Sequence, residues 1–222
     1  MTGPTIKTMR VVPVAGYDSF LLNLSGGHAP WFTRCVVTLE DQDGKFGAGE
    51  VPASTAILST LNQCREWVQG HPVFRFRSLL DRVRRAIAGR ADDIRGHQTF
   101  DLRVAVHVLT AIEAALLDLA GQHQGVPVAE LLGRFGKQRD EVQALGYLFF
   151  LGDAAKTDLP YPRCDRPHDA WDEVRTREAL TPEAVVAMAT AARQRYGFRD
   201  FKLKGGVLDG RDEVACIQAL HE

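Results

Sequence analysis

The feature that most limits what this chain can fold into is the order in which its hydrophobic period changes. Residues 9–14 are an apolar strand candidate, residues 35–40 alternate apolar with polar, and residues 46–50 can return antiparallel across the turn Asp41-Gln42-Asp43-Gly44. Between the first two lies a longer loop, residues 15–31, rich in Gly, Ser, Asn and His. The period then becomes helical over residues 54–69 and 77–88, and most firmly over residues 101–122. The stripe of that last helix is Leu102, Ala105/Val106, Leu109, Ile112, Leu116 and Leu119, a spacing that faces a core. Gly125 and Pro127 close it, and a short helix over residues 128–132 ends at Gly133. Strands followed by a cluster of helices predict an α+β domain over residues 1–135.

A second regime follows, over residues 136–222. Residues 142–150 are a strand candidate and residues 152–177 are irregular. Thr181-Pro182-Glu183 starts a helix, with Thr as N-cap, Pro at the first helical position and an acid in the first turn. The helix runs to Tyr196 with Gly197 at its end; a strand and a helix over residues 211–221 complete the pattern. Strand, helix, strand, helix predicts a parallel α/β unit with right-handed crossovers. A complete (β/α)8 barrel takes about 250 residues, so this stretch could hold only the first strands and helices of one.

The second strand of that unit is Phe201-Lys202-Leu203-Lys204, left through Gly205-Gly206. Alternation puts Phe201 and Leu203 on one face and both lysines on the other. In a parallel sheet covered by helices both faces are buried, and strands there are normally apolar. An edge strand whose lysines discourage aggregation is the ordinary explanation. At the C-terminal end of a barrel strand the explanation is chemistry.

Composition excludes some classes. A formal net charge of -1 gives no reason to expect nucleic acid or an anionic membrane as partner. No apolar run is read as long enough to span a bilayer, and residues 1–7 lack the apolar core of a signal peptide. Cys35, Cys64, Cys164 and Cys216 form no Cys-x-x-Cys pair, hence neither a zinc knuckle nor a disulfide framework. A reducing cytoplasm is the expected location.

Several longer stretches carry a family resemblance. Ile112-Glu113-Ala114-Ala115-Leu116-Leu117-Asp118-Leu119, then Gly125-Val126-Pro127-Val128 and Leu131-Leu132-Gly133, resemble the last helices of the enolase-superfamily cap, and Lys202-x-Lys204 resembles its early barrel strand. Within that superfamily the chain resembles the glucarate dehydratase family. The matching stretches are Asn23-Leu24-Ser25-Gly26-Gly27-His28-Ala29-Pro30, Gln98-Thr99-Phe100-Asp101-Leu102-Arg103, Leu145-Gly146-Tyr147-Leu148-Phe149-Phe150, and Tyr196-Gly197-Phe198 through Gly206. They cover essentially the whole chain, with departures such as Gly27 and Ile94. The resemblance implies an α+β capping domain over residues 1–135, followed over residues 136–222 by the first strands and helices of an α/β (β/α)8-type barrel, truncated.

It also implies a chemistry: a lyase that takes water from D-glucarate or L-idarate to give 5-keto-4-deoxyglucarate, beginning with loss of the proton alpha to a carboxylate. So weak an acid needs a base and an electrostatic sink for the ene-diolate; a Lys or His base with Mg²⁺ is the arrangement known for this superfamily. Lys204 would be the base for one epimer. Lys202, two residues away, would favour loss of the Lys204 proton by its charge and bind the substrate carboxylate. Asn23 and His28, in the first long loop, would bind hydroxyls or a carboxylate, although from the residues alone an ordinary polar loop with one solvated His is the favoured explanation. Thr99 can be a plain N-cap, Phe100 a core aromatic, and Tyr147 a half-buried strand residue; the resemblance makes all three substrate contacts. The Mg²⁺ ligands and a second base, a His paired with an Asp, would lie beyond Glu222, so this chain alone is expected to be inactive. The expected partners are a small-molecule acid sugar and, at full length, further copies of the chain as a homo-oligomer, with no nucleic acid and no membrane. A related acid-sugar dehydratase, a low-activity paralogue, or a non-catalytic carboxylate-binding fragment remain alternatives.

The other polar residues read as structural. His107 shares a helix side with Arg103 and Thr110, which points to solvent, and His123 complements a helix C-terminus. Glu40, Asp41 and Asp43 look like turn residues, lacking the rest of a calcium loop.

Overall fold

Three strands open the chain: β1 Ile6–Tyr17, β2 Trp31–Asp41 and β3 Phe46–Pro52, in the sheet order β1-β2-β3. The computed structural model describes residues 3–17, 24, 31–88, 103–133, 139–153, 158–160 and 167–222. β2 and β3 pair antiparallel from Arg34↔Pro52 to Glu40↔Phe46. Their connection is the expected turn. Asp41 Oδ1 accepts the N–H groups of Asp43 and Lys45, each at 2.9 Å, and Gly44 takes the left-handed φ of 78° that closes it.

Helices follow in the expected places: α1 Thr55–Val68, α2 Phe76–Ile87, α3 Arg103–Gln124 and α4 Val128–Leu132. Ser54 caps α1, its Oγ accepting the N–H of Ile57 at 3.2 Å. Val108, Ala111, Ile112, Ala115, Leu116 and Leu119 of α3 are fully buried among Val37 and Leu39 of β2 and Leu61, Leu79 and Val83 of α1 and α2. By length and composition α3 could cross a membrane, which corrects the reading that no such segment exists. Its apolar stripe forms the middle of this core.

The closest packing in this unit joins β3 to α3. A Cβ built on Gly47 would overlap the backbone oxygen of Ala115, and one on Gly49 that of Ala111. Glycine on the strand facing alanine on the helix lets the two backbones approach. The outward edge of β3 is then satisfied by helix side chains: Asp118 Oδ2 accepts the N–H of Ala48 at 2.8 Å, and Gln122 Nε2 donates to Phe46 O at 2.6 Å. An edge that could recruit another chain is covered. Gly49→Ala forces the helix away and is expected to cost about 1–3 kcal/mol, read as a lower urea midpoint with an unchanged slope. An unchanged midpoint would mean that the gap is already slack.

The second half holds β4 Leu145–Phe149, α5 Ala170–Val174, α6 Pro182–Tyr196, β5 Asp200–Lys204 and α7 Gly210–His221. Thr181 Oγ1 accepts the N–H of Ala184 at 3.3 Å, and Gly197 ends α6 at φ 73°, as expected for both caps. Helix α5 lies within a stretch read as irregular. Asp169 caps it, accepting the N–H of Asp172 at 3.0 Å, and Arg195 Nη1 reaches Asp169 and Asp172 at 3.2 and 3.0 Å. A five-residue helix held by a distant arginine leaves little periodic trace. Leu148, Phe150, Leu151, Trp171, Val185, Met188 and Cys216 make a separate core.

β4 and β5 are parallel and form a two-stranded sheet. A barrel is therefore not evident among the described residues; what is present is one strand–helix–strand–helix unit. By internal contacts the chain divides into two compact units, Met1–Ala15 with Thr33–Arg139, and Gly16–Phe32 with Asp140–Glu222.

Candidate functional site

The β4–β5 register decides which side chains meet. Tyr147 lies opposite Lys202 and Phe149 opposite Lys204, while Gly146 faces Phe201 and Leu148 faces Leu203. One face of the sheet thus carries Tyr147, Phe149, Lys202 and Lys204. The other face packs inward: Leu148 is buried, and Phe201 and Leu203 lie against the same core. Gly146 is required there, because a Cβ would meet the Phe201 ring at 2.6 Å. A glycine that would otherwise weaken a strand is filled by its neighbour's ring.

On the lysine face, Lys202 Nζ stands 4.7 Å from the centre of the Tyr147 ring, within cation–π range. The Tyr147 and Phe149 rings lie 4.4 Å apart and tilted by 33°. Lys202 is exposed and Lys204 half-buried. The expectation that both faces are buried therefore fails for the lysine face. The reason is strand count: a sheet of two strands does not close over its own second face.

Beyond the strand ends, two backbone features fix the surroundings. The N–H of Leu24 donates to Phe150 O at 2.9 Å, tying one point of the first long loop to the C-terminal end of β4. After Lys204, the N–H groups of Gly206, Val207 and Leu208 all donate to Glu213 Oε1 of α7, at 2.7, 2.8 and 3.0 Å. Those hydrogen bonds from Val207 and Leu208, with that from Gly206, hold the Glu213 carboxyl below the ordinary range against a smaller opposing effect of burial. Glu213 escaped the sequence reading; its one signal is an acid early in a helix that follows a Gly-Gly exit.

The sheet brings together Tyr147, Lys202 and Lys204 of the expected residues. Asn23, His28, Thr99 and Phe100 lie outside the described residues. His107 is half-buried and makes an interaction, so the purely solvated reading does not hold. His123 is more than a helix-end cation. Its Nε2 makes a very short contact with Asp41 Oδ2 and its ring meets Phe74 edge-on at 6.1 Å. Donor atoms of Asp41, Asp43 and His123 lie within 4.8 Å of one another. Both Asp41 oxygens, however, are already engaged by His123 and by the turn's own N–H groups. This cluster is the joint between the β2–β3 turn and the end of α3.

An α+β domain followed by a strand–helix–strand–helix unit also makes up the matched part of solved enolases. The chain is 32% identical to an enolase of Pseudomonas fluorescens Pf0-1, solved with bound magnesium, potassium and tartrate, with a TM-score of 0.82 over 99% of this chain and 50% of that one. An enolase of Mycobacterium smegmatis, solved with tartrate, gives 32% identity and a TM-score of 0.78 over 99% and 48%. The chain is an enolase-superfamily homologue that matches the N-terminal portion of its relatives. Among curated proteins it is 34% identical to a probable glucarate dehydratase of Streptomyces coelicolor, over 98% of this chain and 49% of that protein. It thus spans about half the length of the relatives it matches. No protein-family model matches it.

Proposed function

We propose that this chain supplies the capping domain, residues 1–135, and the opening barrel strands, residues 136–222, of an acid-sugar dehydratase acting on D-glucarate or L-idarate in the cytoplasm. The observation that carries the reading is the placement of Lys202 and Lys204 side by side on one sheet face, opposite Tyr147 and Phe149, in a chain 34% identical to a probable glucarate dehydratase. In its neutral form Lys204 Nζ would take the proton alpha to a carboxylate. The electron pair moves into that carboxylate as an ene-diolate; its return expels the hydroxyl of the adjacent carbon, which leaves as water on taking up a proton, and the enol so formed tautomerises, its hydroxyl losing a proton as the adjacent carbon gains one, to the 5-keto-4-deoxy product. Lys202 would pair with the substrate carboxylate, with the Tyr147 ring beneath its ammonium limiting where it can swing. Asn23, His28, Thr99 and Phe100 join the substrate contacts by resemblance.

Magnesium is bound by the Pseudomonas relative and would serve as Lewis acid for the ene-diolate. Among the described residues, the His, Cys, Asp and Glu side chains grouped closely enough to share an ion are Asp41, Asp43 and His123, in the other unit. The lysine face presents Tyr147 and Phe149 instead. Among the described residues, those on the lysine face do not fit a magnesium site beside Lys204.

The test is turnover by the protein isolated from its native source and weighed intact, supplied with Mg²⁺ and a panel of acid sugars, with the keto product trapped as a semicarbazone. D-glucarate and L-idarate are expected to react and tartrate to fail. No turnover of any acid sugar would sink the reading.

A further inference from the structure

Glu213 does more than begin a helix. Three consecutive backbone N–H groups, those of Gly206, Val207 and Leu208, converge on its Oε1. Such a concave run of N–H groups is an anion cradle. It forms here because Gly206 takes φ 91°, a backbone that residues with a Cβ rarely adopt. Here the anion is the chain's own carboxylate. The other oxygen, Oε2, lies against Gly205, where any Cβ would overlap it. Both glycines of the Gly-Gly exit are thus accounted for by one side chain: Gly205 makes room for the carboxylate, and Gly206 turns the N–H groups toward it. Lys204 is the residue immediately before this clamp.

We propose that Glu213 is the positioning residue for Lys204. Its carboxylate fixes where β5 ends, and therefore the direction in which the Lys204 side chain leaves the sheet. This rests on the dehydratase reading for its purpose, but the coupling between the two residues is a property of the fold. A clamped exit suits a base that must hold its nitrogen near one carbon atom, because a loop free to shift by an ångström would carry the amine with it. Asp209, at the N-cap of α7, makes no side-chain cap hydrogen bond, so the clamp on this loop comes from Glu213.

The experiment needs no substrate. The 222-residue chain is reductively methylated with ¹³C so that Lys204 and Lys202 give separate resonances, and amide exchange is followed at residues 206–208. Glu213→Ala is expected to speed exchange of those three amides at least about tenfold and to move the Lys204 resonance while leaving that of Lys202 in place. Glu213→Gln keeps an oxygen acceptor and is expected to restore both signals most of the way. If Glu213→Ala does not fold by circular dichroism, Glu213→Asp replaces it; one methylene shorter, it is expected to loosen the same three amides and shift Lys204. An unmoved Lys204 resonance in the folded variant, or unchanged exchange at residues 206–208, would overturn the proposal. Absence of acid-sugar turnover in the native protein sinks the dehydratase reading and leaves this coupling standing.

Discussion

Lys204→Ala, in a polypeptide that turns over the acid sugar, is expected to lower kcat about a thousand-fold while KM stays within about threefold. General-base removal typically costs between about a hundred- and ten-thousand-fold, and an interaction made chiefly in the transition state shows in kcat rather than KM. The loss should be uneven between epimers. On the proposed reading Lys204 would take the alpha proton that points toward β5, and the opposite epimer would need a different base. D-glucarate and L-idarate should therefore differ in residual rate. Equal losses for both would argue that the substitution merely damages the fold. Lys202→Ala provides the contrast: loss of a carboxylate partner should raise KM first.

Asp41→Ala is the substitution expected to destabilise the chain most, by about 3 kcal/mol. Asp41 is fully buried, and its removal strands His123 and the N–H groups of Asp43 and Lys45 without their acceptor. Asp41→Asn should cost less. Its oxygen can still accept both turn N–H groups, and its amide can donate to His123 if the imidazole changes tautomer. The effect is pH-dependent in a defined direction. Burial pushes the Asp41 carboxyl up, but the hydrogen bond from His123, the N–H groups of Lys45 and Asp43 and the His123 charge together outweigh it, so the net shift is downward. A carboxyl whose folded value lies below its unfolded value, about 3.9, contributes fully above that value and loses its contribution as pH falls through the folded one. Urea midpoints of wild type and Asp41→Ala should therefore differ above about pH 4 and converge below it. Convergence already at pH 6 would place the stabilisation elsewhere.

These two sites differ in how far they could be read without the fold. The two-residue period of a strand puts Lys202 and Lys204 on one face from their spacing alone, and the stretches around them carried the resemblance. Nothing local to Asp41 or His123 reveals that residues 82 positions apart touch. Each looked complete by itself, one as a turn residue and the other as a cation near a helix end.

What the sequence determined by itself is whatever a few consecutive residues can decide: the turn at Gly44, the caps Thr181 and Gly197, the stripe of α3, and the face of β5 on which the lysines stand. These depend on backbone preferences and on hydrogen bonds that close within one turn. Tertiary structure alone decided that Tyr147 meets Lys202, that Gly47 and Gly49 lie against Ala115 and Ala111, that Asp41 locks to His123, and that one face of the lysine strand stays open. Strand register and helix approach are set by how whole faces pack. Each of those partners lies tens of residues away, where no local preference reaches.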